Sequence, residues 1–206
     1  MVEYILLNWL EILTTVLGLI YIWLEYRASI WLWLFGIVMP ALQIYLYWSH
    51  GLYAFSALAC YYTVAALYGL AVWKFKKTRK SRQPLPIIYM PRRFYLPVAS
   101  AALVLWAVTY YILIRYTDSA LPVLESFTYA VSYVGLWALA RKFVEQWLFW
   151  IVANAVSCII YAQTALPYYV FLYGLYNVIA VAGYFKWKRM AKVKFFLVFS
   201  CFILFF

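Results

Sequence analysis

Seven apolar runs, each about the length of a membrane crossing, leave this chain little choice of solvent for its outer surface. They are Ile5–Glu25, Ile30–Trp48, Tyr53–Trp73, Phe94–Tyr116, Leu121–Ala140, Trp147–Gln163 and Pro167–Phe185. A helix rising about 1.5 Å per residue needs about 20 residues to cross the hydrocarbon. Inside lipid only a structure that satisfies its own backbone can persist. The expected fold is therefore an all-α integral membrane protein with seven transmembrane helices. Composition agrees, with 69% hydrophobic and 11% charged residues, against about 45–50% and 25% in soluble domains. The first run is not preceded by a basic leader and small-residue cleavage site, so no cleavable signal is expected.

Composition also limits the chemistry. The single histidine, His50, rules out a multi-histidine metal centre. Cys60, Cys158 and Cys201 lie inside apolar runs without paired spacing, so neither a disulfide framework nor a zinc site is indicated. A membrane enzyme acting on lipids would want clustered His, Asp or Glu near an interface, and the chain has no such cluster. It is expected not to be an enzyme and to need no cofactor.

The net charge of +11 sits almost wholly between the spans, which argues against nucleic acid as a partner. Seven crossings put Arg27, eight residues of the stretch 74–93, Arg141, Lys142 and five tail cations on one side, and only Arg115 on the other. Sixteen against one places the amino terminus outside and the carboxyl terminus in the cytoplasm. Lys74–Arg93, with Pro84, Pro86 and Pro91, reads as a cytoplasmic linker. The last stretch, Phe195–Phe206, spans only about 18 Å as a helix, and fits either an interfacial helix or the start of an eighth span.

An ungapped shift of 114 residues superimposes the first three spans on the last three. Glu11 meets Glu125, Trp23 meets Trp137, Arg27 meets Arg141, and Trp33-Leu34-Phe35 meets Trp147-Leu148-Phe149. Tyr47 meets Tyr161, Tyr62 meets Tyr176, Gly69 meets Gly183, and Trp73-Lys74 meets Trp187-Lys188. The expected organisation is a first three-helix repeat (1–77), a basic linker with a linking fourth helix (78–118), a second repeat (119–190) and a tail (191–206). Three plus one plus three gives parallel repeats, an arrangement used by transporters with a site near midplane between the repeats.

One face carries the polar chemistry. Trp147, Trp150, Asn154, Ser157 and Tyr161 fall within a sector of roughly 80° on a helix turning about 100° per residue. The repeat counterpart of this stripe is Trp33, Gly36, Pro40, Gln43 and Tyr47. Pro40 kinks its span and frees a carbonyl, as in helices that gate. Asn154, Pro40 and Asn177 share the depth of the span centres, and Asn177 lies on a face with Tyr169, Tyr173 and Tyr184. Asparagine and serine in lipid also glue helices together, but two amides and a kink at one depth favour a ligand pocket. Glu11 and Glu125, near the outer boundary, are either functional or structural pairs. With no carboxylate or histidine at midplane, facilitated diffusion is favoured over proton coupling.

The motif Trp147-x-x-Trp150-x-x-x-Asn154, preceded by Arg141-Lys142-Phe143-Val144-Glu145, resembles the PnuC family of nicotinamide riboside transporters. The resemblance covers about residues 3–190 and agrees with that family's fold, which is similar to the SWEET sugar transporters. It implies uptake of a vitamin nucleoside across the bacterial inner membrane, with a cytoplasmic kinase trapping the product. It implies a site built from the Trp-Asn motif with span-seven residues such as Asn177, and association as a homotrimer. A cage of Trp147, Trp150, Tyr173 and Tyr176, with Ser157, Gln43 and Trp33 on the same stripes, suits a flat cationic ring by stacking and cation–π contact. The stretches Trp31–Ala41 and Tyr61–Gly69 look closer to the branch proposed to carry thiamine, so nicotinamide riboside and thiamine both stay open, with a SWEET-type sugar carrier as a narrower competitor.

Overall fold

The computed structural model describes residues 9–49, 53–75 and 85–203, with side chains from 15 to 191 within those ranges save 46, 47, 53–55, 57 and 58. His50, the linker cations from Lys76 to Arg82, and the side chains of Glu11, Lys192 and Lys194 lie outside that set. The described residues form seven α-helices: α1 (Trp9–Tyr26), α2 (Leu32–Ser49), α3 (Tyr53–Phe75), α4 (Tyr95–Tyr116), α5 (Pro122–Ala140), α6 (Gln146–Gln163) and α7 (Pro167–Ile203). A single 3-10 turn, Arg92–Phe94, leads into α4. Each helix falls on one of the seven apolar runs. Among the described residues four helices, α4 to α7, hold a stretch long and apolar enough to cross a membrane.

Hydroxyls inside these helices are absorbed locally. Thr128 Oγ1 donates to the Leu124 carbonyl at 2.9 Å and Ser132 Oγ to the Thr128 carbonyl at 2.8 Å. Such bonds let a hydroxyl sit in an apolar segment without seeking a partner helix. Pro122 and Pro167 open α5 and α7, where a missing N–H is harmless.

The chain divides into two compact units, Met1–Leu70 and Ala71–Phe206. In the first, α1 packs on α2, and Ser56 Oγ of α3 donates to the Ile44 carbonyl of α2 at 3.2 Å. In the second, α4, α5, α6 and α7 pack in chain order, each on the next. Its core includes Ala138, Leu139, Val144, Trp147, Ala180 and Trp187, all essentially inaccessible.

The 114-residue frame is visible in the backbone. Two residues past the end of α1 lies Ala28 at φ 52°, and two past the end of α5 lies Lys142 at φ 55°. In both, the left-handed residue donates three residues back (Ala28 to Glu25, Lys142 to Leu139). The next residue donates five back (Ser29 to Leu24, Phe143 to Ala138). This is a Schellman end built without glycine. The following helix starts the same way: Leu32, Trp33 and Leu34 donate to Ser29, Ile30 and Trp31, and Gln146, Trp147 and Leu148 to Phe143, Val144 and Glu145. Even the decoration repeats, with Arg27 4.8 Å from the Trp23 ring and Arg141 5.0 Å from the Trp137 ring.

Two features depart from the sequence reading. Helix α7 continues unbroken to Ile203, 37 residues or about 55 Å, so the backbone of Phe195–Ile203 is neither a separate interfacial helix nor a new span. No glycine or proline follows Gly183 to break it. Second, the linker is docked where the structure describes it. Ile88 donates to the Lys142 carbonyl at 3.1 Å and accepts from Val144 at 3.0 Å, a parallel bridge. The Met90 N–H donates to Glu145 Oε2 at 2.8 Å. Ile87 and Met90 are buried, and Met90 joins Ala138 and Phe143 in an apolar cluster flanked by Phe94, Trp137 and Phe149.

Candidate functional site

Helix α6 begins at Gln146 because the α5–α6 turn sets it there, and the linker strap braces that turn. From this start the predicted stripe follows. Trp147, Asn154 and Ser157 are buried, and Trp150 and Tyr161 half-buried, whereas Leu148, Val152, Ala155 and Ile159 on the opposite side are exposed. The polar face of an apolar helix thus turns inward, towards α5 and α7, as the cost of an unpaired amide in lipid requires.

The two indoles of the motif have different surroundings. Trp147 is fully buried, edge-on to Trp187 with ring centroids 5.8 Å apart. It lies so close over Gly183 that a Cβ there would come within 2.6 Å of the ring. In the first unit Trp33, also fully buried, covers Gly69 in the same manner. Trp33 and Trp147 are therefore the equivalent bolts of the two units, each holding the second helix of its repeat to the third.

Trp150 occupies a gap. A Cβ on Gly135 of α5 would lie 3.7 Å from its Cε2 and Cζ2. The equivalent contact in the first unit has its sizes exchanged: there Tyr21 of α1 is the large partner and Gly36 of α2 the small one, 3.6 Å from a Cβ built on the glycine. A phenol from the first helix fills this layer in one unit, and an indole from the middle helix fills it in the other.

Beyond Trp150, towards the α6–α7 connector, lies a tyrosine cluster. Tyr161 sits 5.1 Å from both Tyr169, stacked at 25°, and Tyr173, tilted at 34°, and Tyr173 meets Tyr176 edge-on at 5.7 Å. Tyr161 and Tyr169 join the predicted Tyr173 and Tyr176 here, as the spacing on α7 allowed.

Several hydrogen-bonding atoms in this region are buried and unmatched. They are Nε1 of Trp147 and of Trp150, Oδ1 of Asn177, and both amide atoms of Gln146. Buried polar atoms are rarely left so. Donors and acceptors, set among aromatic faces, are what would hold a planar ring with polar edges. Of the other predicted residues, Pro40 lies inside α2 and Gln43, on the same helix, is exposed. Trp33, Pro40 and Gln43 belong to the first unit, and Trp147, Trp150, Asn154, Ser157, Tyr173, Tyr176 and Asn177 to the second. Glu125 lies in the first turn of α5, half-buried. An apolar groove of about 340 Å³ lined by Leu103, Trp106, Ala107, Tyr110 and Val123 lies between α4 and α5, away from this face.

Residues 8–189 match the family model described as nicotinamide mononucleotide transporter. The chain belongs to that family. It is 26% identical to the nicotinamide riboside transporter PnuC of Neisseria mucosa, over 90% of this chain and 74% of that protein. It is 24% identical to the Escherichia coli PnuC, over 91% of this chain and 88% of that one. Its fold is similar to the crystal structure of the vitamin B3 transporter PnuC, with a TM-score of 0.68 and 25% identity, over 90% of this chain and 83% of the other. Membership makes this a multi-pass membrane transporter rather than an enzyme, and every motif residue from Trp147 to Asn177 falls inside the matched region.

Proposed function

We propose that the protein carries nicotinamide riboside across the bacterial inner membrane by facilitated diffusion, using the inward face of α6. The observation that carries this reading is the conjunction of Trp150 and Asn154 on one shielded face with unmatched polar atoms on Trp150 and Asn177. A pyridinium ring is flat and cationic. It gains from the faces of Trp150, Tyr173 and Tyr176 by stacking and cation–π attraction, worth about 2 kcal/mol or more when desolvated. The ring's carboxamide and the ribose hydroxyls supply the polar edges that Asn154, Ser157 and Asn177 would meet. Trp147, bolted to Gly183 and Trp187, offers its N–H and a fixed wall.

The relatives named as nicotinamide riboside transporters support this substrate. The seven helices and the repeated turn geometry support a 3+1+3 arrangement of SWEET type, and the sixteen-to-one distribution of cations supports an outside amino terminus and a cytoplasmic carboxyl terminus. The midplane faces hold amides and hydroxyls but no carboxylate, so passive equilibration is the fitting mode, with net uptake drawn by a cytoplasmic kinase that phosphorylates the riboside.

The test is uptake into proteoliposomes and binding to purified protein. Saturable binding of nicotinamide riboside, and counterflow that needs neither ATP nor an ion gradient, are expected. Thiamine in the same titration separates the branches: tight thiamine binding with weak riboside binding would replace the substrate, and abolition of uptake by a protonophore would replace the mode. Trimer formation is a separate expectation, read by mass in detergent.

A further inference from the structure

The sequence reading started the sixth span at Trp147 and so passed over the residue before it. Gln146 opens α6 with a side chain that is completely buried, and both its Oε1 and its Nε2 lack a partner. At about 100° per residue it lies within about 40° of Trp150 and 20° of Ser157, on the same inward face and one turn towards the α5–α6 connector.

Its repeat counterpart shows that packing does not require an amide there. That residue is Leu32, equally inaccessible. The backbone is the same at both places, Leu32 donating to Ser29 and Gln146 to Phe143, each at 3.3 Å. The fold thus accepts a leucine at this position and keeps it fully buried. An unmatched amide in the same setting is costly, so a purely structural role would favour the apolar residue.

We infer that Gln146 is a substrate-contacting and specificity-determining residue, its side-chain amide pairing with the carboxamide edge of the ring that Trp150 holds. A primary amide presents one donor and one acceptor side by side, and so does a ring-borne carboxamide; the two meet through a pair of antiparallel hydrogen bonds. A ring bearing a carboxylate offers acceptors only and satisfies half of that pair. The inference rests on the transport reading above and names the group in the site that tells amide from acid.

The experiment compares wild type, Gln146→Met, Gln146→Leu and Gln146→Asn in purified form. Each is titrated with nicotinamide riboside and with nicotinic acid riboside, and ligand-free melting is recorded in parallel. Methionine keeps the volume, leucine copies the counterpart, and asparagine keeps the amide. The two apolar variants should bind nicotinamide riboside about 10-fold more weakly or worse and lose the preference for amide over acid. Their ligand-free melting temperatures should be unchanged or higher, and asparagine should restore part of the preference. Apolar variants that bind within about twofold of wild type, or whose binding falls only in step with melting, would overturn the assignment. Wild-type protein that binds neither riboside would overturn the riboside reading and this assignment with it.

Discussion

At the scale of single residues, the two motif tryptophans should separate under mutation. Trp147 is a bolt, whereas the role proposed for Trp150 is that of a platform. Trp150→Ala should weaken riboside binding by about 30-fold or more, the loss expected of a central aromatic anchor, while ligand-free melting changes little because Trp150 is only half-buried. Trp147→Ala empties a fully buried site, should cost about 3–5 kcal/mol, and should lower the melting temperature first. Isothermal titration and scanning calorimetry on the pair decide the matter. The glycines beneath give a second contrast. Gly183→Ala forces a methyl into the Trp147 ring and should destabilise by about 1–3 kcal/mol. Gly174→Ala meets nothing within 4 Å and should be neutral or stabilising by up to about 1 kcal/mol through helix propensity.

At the scale of elements, the strap 85–91 bears on where α6 begins. Its two backbone bonds to the 142–144 turn and the Met90–Glu145 bond brace the residues immediately before the Trp-Asn motif. Ile88→Pro deletes the donor to Lys142, and Glu145→Ala strips the acceptor from a part-buried N–H at about 1–3 kcal/mol. Both should raise amide exchange at Val144 and Met90 while leaving α7 protected, which hydrogen-exchange mass spectrometry reads directly. The run Ile87-Ile88-Tyr89-Met90 between Pro86 and Pro91 was a legible signal for this strap. Reading the whole stretch as a linker gave the prolines and cations more weight than the four apolar residues among them. Helices α2 to α6 were legible to within two residues at each end, because a lipid solvent makes length and polarity the dominant constraints. The tail was not, since 12 residues that are too short to cross say nothing about whether they continue the helix before them.

At the scale of the molecule, duplication was the most informative reading. It could be found in the sequence because tryptophans, glycines and an arginine fell in one frame, and the structure shows two of those matches as contacts, a tryptophan over a glycine and an arginine over an indole, beside a left-handed turn at Ala28 and Lys142. The placement of the α6 stripe was legible for the same reason, by angle alone. The frame had already set Gly36 against Trp150; what the reading passed over was Tyr21 against Gly135, the mismatch at the position in contact with it. A pair of mismatches at contacting positions is information about fit that a search for matches discards. Gln146 opposite Leu32 is a third such mismatch. For the whole protein, counterflow of riboside into proteoliposomes should survive collapse of ion gradients and be lost in Trp150→Ala, a result scored by isotope exchange.

The exchanged partners at that layer allow the arrangement of one unit to be written into the other. Gly135→Tyr combined with Trp150→Gly would give the second unit the large and small partners of the first, leaving the Phe149 Cβ, 3.2 Å from a Cβ built on Gly135, as a crowded contact, whereas Gly135→Tyr alone would also meet the indole. The double variant should melt somewhat below the parent, through the Phe149 contact and the glycine inside α6, and bind no riboside: an intact but silent protein would place the selectivity of the site in which helix of the second unit bears the bulky ring.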